Sequence, residues 1–146
     1  MALAIGTKAP NFSVRDTIGK TVTLSELAGK TIVLYFYPKD DTPGCTKEAC
    51  SFRDAYADYQ GKDIVVLGVS KDDENSHKQF TSKFNLPFPL LADIDGSLTK
   101  AYDVEAPSGY AQRVTYVIDG KGNISHVFSN IQHETHASDI LAELGY

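Results

Sequence analysis

The sequence predicts an α/β domain extending over residues 1–146. Apolar runs of strand length alternate with amphipathic segments of helix length, the pattern of strands packed against helices. The chain is 42% hydrophobic and contains no internal repeat, and its 146 residues are enough to bury one ordinary core. No linker-like stretch divides it, so we expect a single domain.

The first elements are expected to be a small hairpin, a short helix and a buried strand. Residues 12–15 and 21–24 have strand-like patterns on either side of a turn. Ser25 is expected to cap the short helix that follows. The continuous apolar run at 31–37 predicts a buried strand that ends at Pro38.

The middle of the chain predicts a parallel strand–helix–strand unit. After a polar turn at 40–44, residues 45–59 carry apolar side chains at helical spacing. Ile64–Ser70 is a second buried apolar run. Asp73 is placed to cap a further helix that extends through Phe84.

The remaining elements are shorter. They are an extended piece at 87–92, a short helix at 97–102, a hairpin of Val114–Ile118 with Ile124–Phe128, and a final helix at about 135–144. This order fits a thioredoxin-like fold, with a central mixed sheet flanked by helices. The first hairpin is then an amino-terminal extension.

The two cysteines of the chain, Cys45 and Cys50, are its most informative residues. Cys45 is predicted in or just before the first turn of a helix. The unpaired N–H groups and the positive dipole end found there stabilise a thiolate. The helix terminus supplies only about 1 kcal/mol. A cation from a distant part of the chain is therefore required.

The spacing of the two cysteines predicts a conformational change. In an ideal helix the Cα atoms of residues i and i+5 lie roughly 8.6 Å apart, whereas a disulfide rarely spans more than about 6.8 Å. If both residues are helical when reduced, a bond between them requires the first turns to unwind. Our hypothesis is a local unfolding that accompanies oxidation.

The segment 38–50 closely resembles the peroxiredoxins, and within them the peroxiredoxin Q or bacterioferritin comigratory protein subfamily. In that subfamily the resolving cysteine follows the peroxidatic one by five residues. The opening residues 6–12, the Lys-Asp-Asp sequence at 71–73 and the strand at 113–119 extend the resemblance to essentially the whole chain. It implies the same thioredoxin-like fold.

The resemblance also implies roles for individual residues. Cys45 would attack a hydroperoxide and become a sulfenic acid, which Cys50 would resolve to an intramolecular disulfide. Thr42 would hydrogen-bond the peroxide, and Arg113 would supply the missing positive charge. Pro38 would shield the site from water.

Three further residues belong to the implied site as supporting groups. Glu48 could orient Arg113, with a solvated surface carboxylate as the alternative, and Gly44 and Thr46 flank the nucleophile. No metal or organic cofactor is needed for this chemistry. The implied substrates are hydrogen peroxide and organic hydroperoxides, and the implied reductant is thioredoxin or a similar dithiol protein.

Three other functions compete with this interpretation. A thioredoxin-type reductase would normally have two residues between its cysteines, whereas four separate them here, and a glutathione peroxidase-like enzyme calls for a tryptophan, which the chain lacks. A redox sensor or holdase, which exposes apolar surface on oxidation, stays open. Sustained peroxide turnover would separate an enzyme from a sensor.

Charge and composition exclude several partners. The net charge of −5 and the pI near 5.2 argue against nucleic acid and anionic membranes. We expect a monomer in the cytoplasm, or an organelle protein that has lost its transit segment. The four histidines and the pair Asp40 and Asp41 are expected on the solvated surface, without a metal.

Overall fold

The fold is described by a computed structural model over residues 2–146. The helices and strands are, in chain order, β1 (Ser13–Arg15), β2 (Thr21–Thr23), a 3₁₀ helix (Leu24–Leu27), β3 (Thr31–Phe36), α1 (Pro43–Gly61), β4 (Ile64–Ser70), α2 (Glu74–Phe84), β5 (Leu90–Ala92), α3 (Ser97–Ala101), β6 (Val114–Ile118), β7 (Ile124–Phe128) and α4 (His136–Glu143).

The strands form a five-stranded mixed sheet and a separate two-stranded one. The large sheet has the order β5-β4-β3-β6-β7, in which β3, β4 and β5 are parallel, β6 is antiparallel to β3, and β7 is antiparallel to β6 and so runs in the direction of β3. The small sheet is the antiparallel pair β1 and β2. The predicted fold class, a thioredoxin-like mixed sheet with an amino-terminal hairpin, is confirmed.

Alternate residues of the central strand β3 point into two separate hydrophobic cores, as a pleated strand requires. Ile32, Leu34 and Phe36 pack with the amino-terminal segment and the residues around α3. Val33 and Tyr35 pack with side chains of α1, α2 and α4. Helix α1 is thereby held against the sheet, with its amino terminus at the end of β3.

The register of β3 and β6 positions the residue that precedes β6. Phe36, the last residue of β3, pairs with Val114, the first residue of β6. Arg113 therefore lies beside the point where the chain leaves β3 and enters the loop to α1. This juxtaposition of segments far apart in sequence creates the site described below.

Two predicted helix caps have different outcomes. The cap at Asp73 is confirmed, since its carboxylate accepts a hydrogen bond from the Ser76 N–H at 2.8 Å. The cap at Ser25 was wrong, because the 3₁₀ helix begins at Leu24, two residues earlier than that cap implies, and Thr23 takes the N-cap position. The N–H of Ser25 instead donates to Asn11 Oδ1 at 3.0 Å.

The expected surface position of the histidines was wrong for two of the four. His77 and His136 are 0% and 2% exposed. Asp40 is also buried, unlike Asp41 beside it. Polar neighbours make this burial tolerable, since the Asp40 carboxylate lies 2.6 Å from the Tyr37 hydroxyl and 2.7 Å from His77 Nδ1.

Among residues 2–146, no helix combines the length and the apolar character needed to cross a membrane.

Replacing Gly68→Ala should destabilise the sheet. A Cβ atom at Gly68 would lie 2.7 Å from Leu90 Cδ2 and 2.8 Å from the Tyr35 ring, both fully buried. Overpacking of this kind costs about 1–3 kcal/mol. Urea unfolding of the reduced protein measures the loss.

Gly61→Ala is the matched control for that substitution. Gly61 ends α1, and apart from its chain neighbours and the adjacent helix backbone, a Cβ atom there meets no atom of residues 2–146 within 4 Å. Because alanine favours the helix over glycine by up to about 1 kcal/mol, this variant should be unchanged or more stable. Equal stability of both variants would contradict the packing argument.

Candidate active site

Cys45 is the third residue of helix α1 and is 1% exposed. Pro43 is the first residue of the helix, where the missing N–H of proline costs nothing and its fixed φ suits the helix. The backbone N–H groups of Gly44 and Cys45 have no partner four residues earlier within the helix. The first turn therefore presents N–H donors and the positive dipole end where the sulfur lies.

Arg113 supplies a positive charge at the sulfur. Its Nη2 donates to Cys45 Sγ at 3.2 Å. Burial alone would lower the pKa of Arg113, but the charge of Glu48 and the contact with Cys45 outweigh it and raise the pKa above the ordinary value. The guanidinium thus stays charged, and a charged donor in contact with sulfur favours the thiolate form.

Glu48 holds the other branch of the same guanidinium. Arg113 Nη1 donates to Glu48 Oε1 at 2.7 Å, and the Glu48 side chain is 0% exposed. The alternative of a solvated surface carboxylate was therefore wrong. Burial raises the pKa of Glu48 to about 7, against the opposing effect of Arg113.

The second oxygen of Glu48 has no hydrogen-bond partner among residues 2–146. His136 Nε2 lies 3.8 Å from this oxygen, and the same nitrogen lies 2.8 Å from Thr115 Oγ1. Burial lowers the pKa of His136 to about 4, so the ring is neutral at pH 7. A buried, uncompensated carboxylate oxygen favours the protonated acid, which agrees with the raised pKa of Glu48.

Thr42 lies at the N-cap position of α1 and is partly buried. Its hydroxyl donates to the Lys39 carbonyl at 2.9 Å instead of accepting from the first helical turn. The hydroxyl proton is thus in use, and the oxygen remains able to accept. Thr46 closes the first turn, since its N–H donates to the Thr42 carbonyl at 2.8 Å.

Pro38 is partly buried and directly follows the buried Tyr37 at the end of β3. In the part of the chain that the structure describes, no hydrogen bond joins Pro38, Thr42 or Thr46 to the Cys45 side chain. The structure brings together Cys45, Arg113 and Glu48 by direct contact. The other predicted site residues are neighbours in sequence, within the loop and the first turns of α1.

His133 is a site neighbour that sequence analysis missed. A Cβ atom at Gly44 would lie 2.9 Å from His133 Cε1 and 3.2 Å from Arg113 Nη2, so the imidazole packs directly on this glycine. Burial lowers the pKa of His133, with the charges of Arg113 and Lys47 adding to the effect. A neutral ring therefore borders the site.

A polar cleft opens beside His133. Its lining is completed by Lys47, Gln132, Glu134 and Thr135. No local pattern in the sequence points to His133, which lies in a turn. His136 could have been found, because it shares the apolar face of α4 with Ala137 and Ile140.

Cys50 lies in the same helix as Cys45, about one and a half turns further on, and both cysteines are free. Cys50 is partly exposed. Burial raises the pKa of its thiol, with Arg53 opposing and Asp54 adding to the rise. The two sulfurs are therefore chemically distinct, and only Cys45 contacts a cationic donor.

No group of three or more potential metal-ligating side chains occurs within residues 2–146. The histidines His133 and His136 therefore do not combine with acidic or cysteine side chains into such a group.

Comparison with known proteins gives matches over most of the chain. The AhpC/TSA family matches residues 5–127. A putative peroxiredoxin bcp of Coxiella burnetii is 40% identical over 99% of this chain and 100% of its own length. A chloroplastic peroxiredoxin Q of Triticum aestivum is 45% identical over 93% of this chain, which spans only 64% of that longer protein.

Solved structures show the same likeness. PrxQ of Xylella fastidiosa, crystallised as a mutant, superposes with a TM-score of 0.92 at 31% identity, covering 99% of this chain and 96% of its own. The bacterioferritin comigratory protein of Xanthomonas campestris, described in terms of its alkyl peroxide reduction activity, has a TM-score of 0.86 at 32% identity. That match covers 91% of this chain and 89% of its own.

Glu48→Gln should remove a pH dependence of stability. Because the folded-state pKa of Glu48 is raised to about 7 from 4.5, the folded protein binds this proton more tightly than the unfolded chain does. The associated stability is present below about pH 4.5 and is lost as pH rises through 7. The free energy of unfolding should fall by up to about 3 kcal/mol over this range, and less in the variant.

Urea unfolding at several pH values between 5 and 8 measures this difference. Glu134→Gln is the control, since Glu134 is largely exposed and pairs with Lys47 at 3.3 Å on the surface. The control should follow the pH curve of the unmodified protein. Parallel curves for the protein and Glu48→Gln would contradict the assignment.

Proposed function

This chain belongs to the AhpC/TSA family as a peroxiredoxin of the peroxiredoxin Q and Bcp type, and on that premise we propose that it reduces hydroperoxides with Cys45 as the nucleophile. The observation that carries the proposal is the 3.2 Å contact between Arg113 Nη2 and Cys45 Sγ at the start of α1. This contact and the helix terminus together favour a thiolate in a buried site.

The first step transfers one oxygen atom to sulfur. The Cys45 thiolate attacks one oxygen of the hydroperoxide, a sulfur–oxygen bond forms, and the oxygen–oxygen bond breaks with its electron pair. The departing oxygen takes a proton and leaves as water or an alcohol, while Cys45 becomes a sulfenic acid. The sulfur is oxidised by two electrons and the peroxide is reduced by two.

Arg113 and Thr42 are suited to complementary tasks in this step. The charged guanidinium donates toward the negative charge that develops as the oxygen–oxygen bond breaks. Since the Thr42 hydroxyl gives its proton to the Lys39 carbonyl, its oxygen can accept from the O–H of the peroxide. Glu48 supports the reaction indirectly, because it holds Arg113 in place at 2.7 Å.

Three further residues complete the proposed site. Gly44 leaves room for His133 and Arg113 against the backbone beside the nucleophile. Thr46 closes the first helical turn around Cys45, and Pro38 shields the loop from water.

The second step forms an intramolecular disulfide. The Cys50 sulfur attacks the sulfenic sulfur of Cys45, the sulfur–oxygen bond breaks, and water leaves. Residues five apart in a helix are roughly 8.6 Å apart between Cα atoms, which exceeds the span of a disulfide. The first turns of α1 therefore unwind in this step.

Contacts further along α1 limit the unwinding. Tyr59 is fully buried and its hydroxyl donates to the Ala137 carbonyl at 2.7 Å, and Arg53 Nη1 donates to the Phe84 carbonyl at 2.9 Å. Phe52 is also fully buried against Tyr35. These contacts hold the second half of the helix while the segment that carries both cysteines changes shape.

The substrates of the proposed reaction are hydrogen peroxide and organic hydroperoxides, and it requires no metal or organic cofactor. The alkyl peroxide reduction named for the Xanthomonas campestris protein supports the organic substrates. Thioredoxin or a similar dithiol protein would reduce the exposed disulfide. A monomeric state and a cytoplasmic location stay predictions, since some relatives are named chloroplastic.

Replacing Cys45→Ser should abolish sustained turnover. The measurement is NADPH consumption with thioredoxin, thioredoxin reductase and hydrogen peroxide. Without the nucleophile, the rate should fall to the background of the reductase system. Retention of activity in this variant would contradict the role of Cys45, whereas lack of turnover by the unmodified protein would point to another reductant or to a single-use sensor.

Cys50→Ser should separate the two steps. The first turnover should keep its rate, because Cys45 and Arg113 are intact, but a sulfenic acid should accumulate in place of the disulfide. Rapid mixing with one equivalent of peroxide, followed by mass spectrometry, distinguishes the two products. A disulfide-free variant that forms no sulfenic acid would contradict the assigned roles.

Oxidation should unwind the beginning of α1 and leave its end intact. Amide exchange is expected to accelerate over residues 45–51 in the disulfide form, while residues 55–61 stay protected by the contacts of Tyr59. Far-ultraviolet circular dichroism should show a matching loss of helix. Identical helicity and protection in reduced and oxidised protein would contradict the unwinding.

A further inference from the structure

A cluster of buried polar side chains lies beside the active site and outside the chemistry proposed above. Asp40 belongs to the loop that joins β3 to α1, five residues before Cys45, and is buried. Its Oδ1 accepts from the Tyr37 hydroxyl at 2.6 Å. Its Oδ2 accepts from the Ser76 hydroxyl at 2.8 Å and lies 2.7 Å from His77 Nδ1.

The partners of His77 identify the charge state of this cluster. His77 is 0% exposed, and its Nε2 lies 2.9 Å from the Leu91 carbonyl oxygen of β5. A carbonyl can only accept, so Nε2 carries a proton. Because Asp40 accepts from two hydroxyl groups, it is the carboxylate, and Nδ1 donates to it as well. His77 is therefore an imidazolium.

The electrostatic surroundings of His77 agree with this assignment. Burial alone would lower its pKa, but the hydrogen bond and charge of Asp40 outweigh burial, aided by the Leu91 carbonyl and the charge of Asp72. The resulting pKa lies above the ordinary value. Asp40 from the loop and Asp72 from the β4–α2 connection are the charged groups that face the ring, and β5 presents only its carbonyl.

The backbone of the loop is fixed by the same cluster. The Asp40 N–H donates to Asp72 Oδ2 at 2.8 Å, and that oxygen also accepts from the Ser70 hydroxyl at 2.6 Å. Asp40 is thus held through both its backbone and its side chain. The elements that hold it, β4 and α2, take no part in the cysteine helix.

We propose that Asp40 and His77 are positioning residues for Cys45. Their buried ion pair fixes the start of the loop between β3 and α1 to helix α2. The inference rests on the proposed function of Cys45. It adds that the unwinding segment has a fixed end at Asp40. Residues up to Asp40 stay in place while the segment that contains Thr42 and the cysteines unwinds and rewinds. The reduced site then returns to one geometry after each cycle.

Stability alone does not account for such a pair. Replacing a buried ion pair with packed apolar residues is often neutral or stabilising, whereas one remaining partner is costly. The neighbouring Asp41 has only an exposed ion pair, between its Oδ2 and Lys83 Nζ at 2.8 Å, and an exposed pair of this kind contributes little to stability. The buried pair of Asp40 and His77, in contrast, holds the loop backbone at one position.

Variants of both partners test the proposal, namely Asp40→Asn, His77→Gln and the two combined. Asp41→Asn is the matched control. Asp41 has φ of +59°, a left-handed conformation that asparagine also tolerates, and its ion pair is exposed. The control therefore removes an equal charge from the adjacent residue without touching the buried pair.

The first measurement is amide exchange of the reduced proteins without peroxide. Segment 39–46 should exchange faster in both single variants, most clearly at the Asp40 amide, while β3 and β6 stay protected. The control should match the unmodified protein. Equal acceleration in the loop and the sheet would show a general stability element and overturn the proposal, as would unchanged exchange in the loop.

The second measurement is the rate of the first reaction of Cys45 with hydrogen peroxide. This rate should fall about 10- to 100-fold in both single variants, the effect of a small misplacement of a reacting group. The rate of the double variant should fall no further than that of the slower single variant. The control should react normally. Normal rates in the single variants would overturn the positioning role.

The pH dependence of the rate of Cys45 oxidation distinguishes a positioning role from a merely structural one. The ion pair exists while His77 is protonated and is lost as pH rises through its raised pKa. The rates of the unmodified protein and His77→Gln should therefore converge at high pH. If the unmodified protein did not react with peroxide at all, the proposed function would fail, while the exchange measurement would still decide whether the pair holds the loop.

Discussion

The contact between Arg113 and Cys45 is the interaction on which the proposed active site depends. The two residues are 68 positions apart, and neither local segment could place the guanidinium at the sulfur by itself. The antiparallel pairing of β3 with β6 brings Arg113 to the end of the strand that leads into α1. The mixed sheet is therefore required for the proposed chemistry as well as for the core.

The contact between Arg113 and Cys45 requires an unfavourable burial of the neighbouring Glu48 side chain. Glu48 orients the guanidinium from a fully buried position, where one of its oxygens is left without a partner among residues 2–146. Burial of a carboxylate with incomplete hydrogen bonding is unfavourable. The unfavourable burial of Glu48 is the consequence of holding Arg113 on both branches of its guanidinium, with Nη1 at Glu48 and Nη2 at the Cys45 sulfur.

The fold and the position of the two cysteines in one helix could be predicted from the sequence because both are encoded locally. The buried strands are continuous apolar runs, and the cysteine spacing is visible without any tertiary contact. The burial of Glu48 could not be decided in this way. Its position in α1 allows either an exposed or a buried side chain, and tertiary neighbours such as Arg113 and His136 decide between the two.

The misassigned residues share the same cause. Asp40 and Asp41 are identical and adjacent, yet one contacts a buried histidine and the other a surface lysine. His77 lies on the face of α2 that meets β5, and this partner strand decides its burial. His133 approaches Gly44 only because the turn before α4 returns to the amino terminus of α1. No local pattern contains these neighbours.

The presence of both cysteines in one helix has an energetic consequence for the redox couple. If the disulfide forms only when the first turns of α1 are unwound, the folding free energy of those turns favours the dithiol. For a two-electron couple, about 1.4 kcal/mol corresponds to about 30 mV in reduction potential. Substitutions that stabilise the start of this helix would therefore make the disulfide a stronger oxidant, and those that weaken it would make the disulfide more persistent.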